Sequence, residues 1–343
     1  MHVGICGYPG SGKTTVFTAL APGGKAGHEV SFGNIKVPDA RVDFLAGVFK
    51  PKKTTYAEVT FVDVGGGAKA GGAFPPNVLQ NMRNADLLAH VVRGFDNPSL
   101  STPTDPRRDE KAFNDELLLL DLGTVEKRVE RLKKENKKGP ELDVNLKCLA
   151  HLEGGEPLRT LELSEEEVKA LGPGIQLLSM RPLITVFNLS EAAWADPAFA
   201  DLRETRHGKN TVSLAICGAI EAEIAALAPE EQKDFLEGLG LGEPARNVFV
   251  REAYRLLDLI SFLTAGPDEC RAWPIRRGLS ARKAAGKVHS DIERGFIRAE
   301  IYRPEDLEAE GTEAALKAKG KIRVEGKDYV MLDGDVVNYR FNV

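Results

Sequence analysis

Cysteine is scarce in this chain: Cys6, Cys148, Cys217 and Cys270 stand far apart in 343 residues and form no C-x-x-C pair. That leaves no basis for a disulfide framework or a cysteine zinc site and points to a reducing, cytoplasmic setting. Long apolar runs are missing too. None approaches the roughly 20 residues a helix needs to cross a membrane, so no membrane partner is expected. The N-terminus enters an apolar strand pattern directly, without the layout of a secretory leader. Positive charge is not in excess either. The formal net charge of −5 excludes a general polyanion binder, makes DNA an unexpected partner and leaves nucleic-acid contact to local patches. With 42% hydrophobic residues there is material for a core, and the length suits two or three domains.

The chain does contain Gly7-Tyr8-Pro9-Gly10-Ser11-Gly12-Lys13-Thr14, which fits G-x-x-x-x-G-K-[ST]. Glycines let backbone N–H groups turn inward around phosphate oxygens without a Cβ clash. Lys13 offers a point charge to the β- and γ-phosphates, and the Thr14 hydroxyl is placed to ligate Mg²⁺. The apolar run 2–6 precedes the loop and a helical pattern from Thr14 and Thr15 follows it, the strand–loop–helix order of an anion site. Gly10, Ser11, Gly12, Lys13, Thr14 and Thr15 are therefore the expected phosphate-side residues. Fifty positions after Lys13, a β-branched strand ends at Asp63-Val64-Gly65-Gly66. In nucleotide switches an acid here holds Mg²⁺, and the glycine's N–H senses the γ-phosphate. Lys13 and Gly66 are the expected catalytic positions. Asn188-Leu189-Ser190-Glu191 follows another strand, where guanine-specific switches carry N-K-x-D. With Leu189 in place of Lys and Glu191 in place of Asp the guanine fork is lost, so adenine is expected to be tolerated or preferred.

Short strands and helices alternate over 1–112 and return over 180–263, which predicts an α/β parallel sheet. Leu122, Val125, Val129 and Leu132, a break at 136–140, then Leu142, Leu146 and Leu149 predict an inserted helical hairpin over 113–179. Its tip is basic, with seven Lys or Arg against three Glu over 126–138. Residues 247–263 read as helical. From 264 to 343 the pattern becomes a small α+β unit, with strands expected at 321–325, 329–332 and 336–341 and a turn at Asp333-Gly334-Asp335.

Taken together these residues resemble the Obg-like ATPases, also called YchF, over nearly the whole chain. The matching blocks are Val37 to Arg41, Phe61 to Asp63, His90-Val91-Val92-Arg93, Asn188 to Glu191, Cys217-Gly218-Ala219-Ile220-Glu221, Phe262 to Pro267, Asp291 to Ile297 and Glu325 to Asp335. The resemblance implies a P-loop nucleotide domain, the helical hairpin and a C-terminal TGS domain with a β-grasp-like fold. It implies ATP as substrate, Mg²⁺ as cofactor and association with ribosomes in the cytoplasm. Carried over by position, Gly12 and Lys13 hold phosphates, Thr14 and Asp63 hold Mg²⁺, and Asn188, Leu189 and Glu191 frame adenine. Gly218 lies in the base-contacting segment.

The chain departs from that pattern in places. Gly10-Ser11 replaces Asn-Val, and the stretch after Asp63 is altered, with Gly67 for a bulky residue. The family's histidine, nine residues after the H-V-V-R arginine, falls on Thr102. Ser31 is the nearest candidate for the first-switch threonine. His90, inside an apolar strand, reads as a core histidine. A slow Mg²⁺-dependent ATPase switch is the first functional expectation; a nucleotide-binding module with little hydrolysis, or a GTPase, are the alternatives. The window 271–298, with eight Lys or Arg against two acids and Trp273 and Phe296 interleaved, is expected to face ribosomal RNA together with the hairpin tip.

Overall fold

The alternating patterns form thirteen strands in a computed structural model that describes residues 1–24, 30–64, 74–238 and 242–342. They are β1 (His2–Cys6), β2 (Val30–Lys36), β3 (Lys53–Thr55), β4 (Glu58–Val64), β5 (Leu87–Gly94), β6 (Leu183–Leu189) and β7 (Arg206–Gly208). The rest are β8 (Thr211–Ile216), β9 (Leu259–Thr264), β10 (Glu269–Arg276), β11 (Phe296–Tyr302), β12 (Arg323–Glu325) and β13 (Val336–Phe341). Two units result: residues 1–35 with 60–253, and residues 36–59 with 254–343.

The first unit is built on a seven-stranded sheet of order β2-β4-β1-β5-β6-β8-β7. The pairs β1–β4, β1–β5, β5–β6 and β6–β8 are parallel, and β7 runs antiparallel to β8. This is the α/β parallel-rich fold expected from the sequence. Both β5 and β6 are buried along their whole length, as strands covered on both faces must be. Register brings Asp63 level with Ile5, His90 level with Cys6, and Asn188 level with Arg93 and Ile216. From β1 the order runs outward in both directions, so the carboxyl ends of β1, β4, β5 and β6 frame a switch point where α/β sheets gather ligands.

Helix α1 (Lys13–Leu20) follows β1, α2 is Ala40–Phe49, and α3 (Pro76–Asn84) precedes β5. Helix α4 (Pro106–Lys134) is continuous over 29 residues, started by the Asp105 carboxylate accepting the Arg108 N–H at 3.0 Å. It begins before Phe113, the expected start of the hairpin. Its first turns belong to the sheet's core, where Phe113 and Leu117 pack with Cys6, Tyr8, Leu88 and Leu178. Its later turns pair with α5 (Pro140–Glu153) through Val125 and Val129 against Val144, Cys148 and Leu152. Asn136 and Gly139, both at positive φ, turn the chain between the two helices.

The second unit carries a six-stranded sheet of order β12-β11-β13-β9-β10-β3. Successive residues feed opposite faces: Phe262, Ile301 and Val337 join Ala281, Ala284 and Ala285, while Leu263, Tyr302 and Val336 join Val42 and Leu45 of α2. Three local expectations are corrected here. Residues 36–59 fold with this unit, because β3 pairs with β10 some two hundred residues later. The helix begun at Ala245 stops at Leu256, and Asp258 at φ 48 redirects the chain so that Leu259–Thr264 is a strand. Residues 329–332 form only a bridge, Ser280 to Val330, because Tyr329 and the Leu332 N–H turn toward the buried Asp335 carboxylate.

One buried carboxylate fastens α4 to the segment entering β6. Asp121, 2% exposed, accepts the N–H groups of Leu178 and Ser179 at 2.9 and 2.6 Å. Asp121→Ala leaves both donors buried without an acceptor. The expected loss is about 3 kcal/mol, read as a lower midpoint in urea unfolding; an unchanged midpoint contradicts the assignment.

Candidate functional site

The loop between β1 and α1 takes its shape from its glycines. Gly7, Gly10 and Gly12 adopt φ of 144°, 75° and 84°. A Cβ on Gly7 would run into the Val91 carbonyl oxygen, and one on Gly12 into Asn188 Nδ2. These two positions need glycine for space as well as for backbone angle. Gly12 also caps α1, so the first amides of the helix, which have no intrahelical acceptor, open at the loop.

Lys13 lies across this loop, its Nζ donating to the carbonyl oxygens of Gly7 and Tyr8 at 3.1 Å each. Burial pushes its pKa down, and the charge of Asp63 opposes the shift. Asp63 is 4% exposed and its Oδ1 has no hydrogen-bond partner among the described residues. Burial raises its carboxyl and Lys13 lowers it. The two groups thus face each other electrostatically without an ion pair among the described residues. An orphaned carboxylate oxygen beside the helix that carries Thr14 fits a hydrated divalent cation, which is what a phosphate-binding loop of this kind requires. Thr14 and Thr15 are exposed on the first turn of α1.

Asn188 ties the site's two loops together. It is 4% exposed; Nδ2 donates to the Ser11 carbonyl at 3.2 Å and Oδ1 accepts the Gly218 N–H at 3.1 Å. A Cβ on Gly218 would stand 2.7 Å from Asn188 Oδ1 and 3.5 Å from Thr15 Cγ2. Gly12, Ser11, Thr15, Asn188 and Gly218 therefore converge. The Ser11 hydroxyl is buried without a partner among the described residues. Leu189 packs inward with Val92, Phe187 and Leu202. Glu191 is exposed at the start of a short helix, Glu191–Ala195, capped by Ser190. It lines a cavity of about 330 Å³ with Trp194, Cys217, Ile220 and Glu221. Gly66 and Gly67 lie outside the described residues, as does 25–29 of the first-switch region; Ser31 is buried in β2.

Two further residues matter whose contacts local pattern did not reveal, Tyr8 and Arg93, and His90 is the core histidine expected from its apolar strand. The Tyr8 hydroxyl donates to Glu116 Oε1 on α4 at 3.1 Å, which joins the phosphate loop to that helix. Arg93, 5% exposed, donates to the Thr102 and Pro103 carbonyl oxygens at 2.9 and 3.3 Å. It thereby fixes the segment that carries Thr102. His90 is a core residue stacked on Phe113 at 3.8 Å, and burial pushes its pKa down to about 3. Both of its ring nitrogens lack partners among the described residues. Nothing local pointed to the Tyr8 contact, and Arg93 was marked only by the H-V-V-R block, not by its partners.

Comparison with known proteins places these features in context. A family model named YchF-GTPase_C, described as "Protein of unknown function (DUF933)", matches residues 259–342. The chain is 39% identical to the ribosome-binding ATPase YchF of Bacillus subtilis, covering 100% of both chains. It is also 39% identical to the protein of that name from Escherichia coli O157:H7, covering 99% of both. Among solved structures it resembles the Schizosaccharomyces pombe YchF GTPase with a TM-score of 0.86 at 30% identity, covering 99% of this chain and 97% of that one.

The glycine at 12 offers a direct test of the loop. Gly12→Ala forces an L residue into left-handed φ, about 1–2 kcal/mol, and displaces Asn188. Affinity for a nucleoside triphosphate in calorimetry is expected to fall at least roughly tenfold while the far-ultraviolet circular dichroism stays the same. Unaltered affinity would show that the phosphates bind elsewhere.

Proposed function

This chain belongs to the YchF family, and we propose on that premise that it is a slow ATPase that acts as a nucleotide switch on ribosomes in the cytoplasm. The observation that carries the reading is the glycine-shaped loop of 7–14, with Lys13 and the first amides of α1 at its mouth and the unpartnered Asp63 oxygen beside them. In this reading the unit of residues 1–35 and 60–253 binds the nucleotide and carries the helical hairpin, and the unit of residues 36–59 and 254–343 contains a TGS domain. The names of the relatives in Bacillus subtilis and Escherichia coli support ATP as nucleotide and the ribosome as partner.

The chain's own groups divide the work. Lys13 leaves the Gly7 and Tyr8 carbonyls and meets the β- and γ-phosphate oxygens, exchanging two neutral acceptors for charged ones. The α1 amides add fixed positive ends to the same oxygens. Thr14 and Asp63 are the residues that would hold Mg²⁺, which supplies neutralising charge at the phosphates. Asn188 acts as a brace between the phosphate loop and the Gly218 turn, so its carboxamide sets where the base lies. Glu191 offers an acceptor to the exocyclic amine of adenine, and its extra methylene relative to aspartate disfavours the two-donor edge of guanine.

Hydrolysis is slow in this account because the segment after Arg93 presents Thr102, which has no group able to take a proton from water near neutral pH. The same observation supports a second reading, a switch that binds ATP and turns it over hardly at all without its partner. Phosphate release by the pure protein, with and without ribosomes and with Lys13→Ala as control, tests both. Slow release that Lys13→Ala abolishes is expected. GTP displacing a fluorescent ATP analogue more effectively than ATP does would overturn the adenine assignment.

A further inference from the structure

We propose that a basic cavity on the flank of α4, away from the phosphate loop, seats the backbone of a single-stranded RNA segment. The inference rests on the ribosome reading above and adds a contact point to it. The cavity, about 660 Å³, lies between α4, the last turn of α3 and the turn at 173–175. Four cations line it, Arg83 from α3 and Lys127, Arg128 and Arg131 from α4, and no acidic residue does. Two of these are partly neutralised from outside: Arg128 pairs with Glu141, and Arg131 lies 3.8 Å from Glu135. Arg83 and Lys127 have no carboxylate partner among the described residues, so the cavity keeps uncompensated positive charge.

The remaining wall is apolar. Leu119, 63% exposed, and Ile175 line it, and a large aliphatic side chain left this open on a helix is a surface that a ligand can cover. Cations on one side and an apolar wall on the other match a nucleotide, phosphate toward Arg83 and Lys127, ribose and base face toward Leu119. Lys127 and Arg131 are one helical turn apart, so they follow a strand of phosphates, whereas one small anion would engage only some of these groups. The volume also exceeds what a single phosphate needs. The walls are backbone-fixed: Thr124 is held within α4 by its hydroxyl donating to the Leu120 carbonyl, and the turn after Gly172 takes positive φ at Gly172 and Gly174.

The test is the double variant Arg83→Gln/Lys127→Gln, whose sites are partly or fully exposed and far from the loop 7–14 in sequence. Co-sedimentation with ribosomes is measured over a KCl series, and binding of fluorescein-labelled decauridylate by anisotropy. The variant is expected to bind both more weakly, with a plot of log affinity against log salt shallower by about 1.5. ATP affinity is expected to stay that of the unmodified chain. Equal affinity and slope in variant and unmodified protein would overturn the subsite while leaving the ribosome reading intact. Failure of the unmodified chain to sediment would overturn both. Displacement of the oligonucleotide by micromolar uridine monophosphate would instead assign the cavity to free nucleotides and overturn the RNA assignment.

Discussion

The carboxamide of Asn188 is the constraint on which the site depends. It sits at the carboxyl end of the fully buried β6, and both of its ends are spent on backbone, Nδ2 on the Ser11 carbonyl and Oδ1 on the Gly218 N–H. Each neighbour accepts it only as glycine, since a Cβ at 12 or at 218 would occupy the amide's place. Buried amide bonds contribute about 1 kcal/mol each when made and cost more when one partner is left alone. The loop of residues 7–14 and the Gly218 turn thereby hold one another in register through a single side chain. Lys13 and Asp63 then operate within a frame that is set before any ligand arrives.

Helix α4 carries that frame outward. Tyr8 of the loop is bonded to Glu116, Phe113 stacks on His90 of β5, and Asp121 clamps the residues that lead into β6. Beyond these anchors the same helix continues without a break into the hairpin, where its packing partner becomes α5. One continuous helix thus runs from the Tyr8 contact of the loop to a tip rich in Lys and Arg. Lys127 of this helix and Arg83 of α3, neither with a carboxylate partner among the described residues, line one cavity.

Much of this was legible in the sequence, and the reasons are physical. A phosphate loop is a local backbone device, so its glycines and lysine announce it within eight residues. The buried strands β5 and β6 and the two hairpin helices also follow from local periodicity. What escaped depends on distant partners. Residues 36–59 carry no sign that β3 will pair with β10, and the helical spacing from 247 runs on in pattern past Leu256, although Asp258 turns the chain there and Leu259–Thr264 is a strand. Asn188 was marked by its motif as a contact to the base, whereas its direction, inward to two backbone groups, depends on the Ser11 and Gly218 loops. Leu189 likewise turns into the core with Phe187 and Leu202. Tyr8 has no special spacing, and its role follows only from where Glu116 falls on α4.

The central claim is that a purine triphosphate occupies the loop of Gly7 to Thr14 and takes the Lys13 ammonium from the carbonyls that now hold it. A crystal structure with a non-hydrolysable ATP analogue and Mg²⁺ tests this most directly. The account predicts the triphosphate in the loop, Lys13 Nζ on its oxygens, the cation between Thr14 and Asp63, and Asn188 still bridging Ser11 and Gly218. Nucleotide bound at another surface, or Lys13 still donating to Gly7 and Tyr8 beside a bound triphosphate, would contradict it.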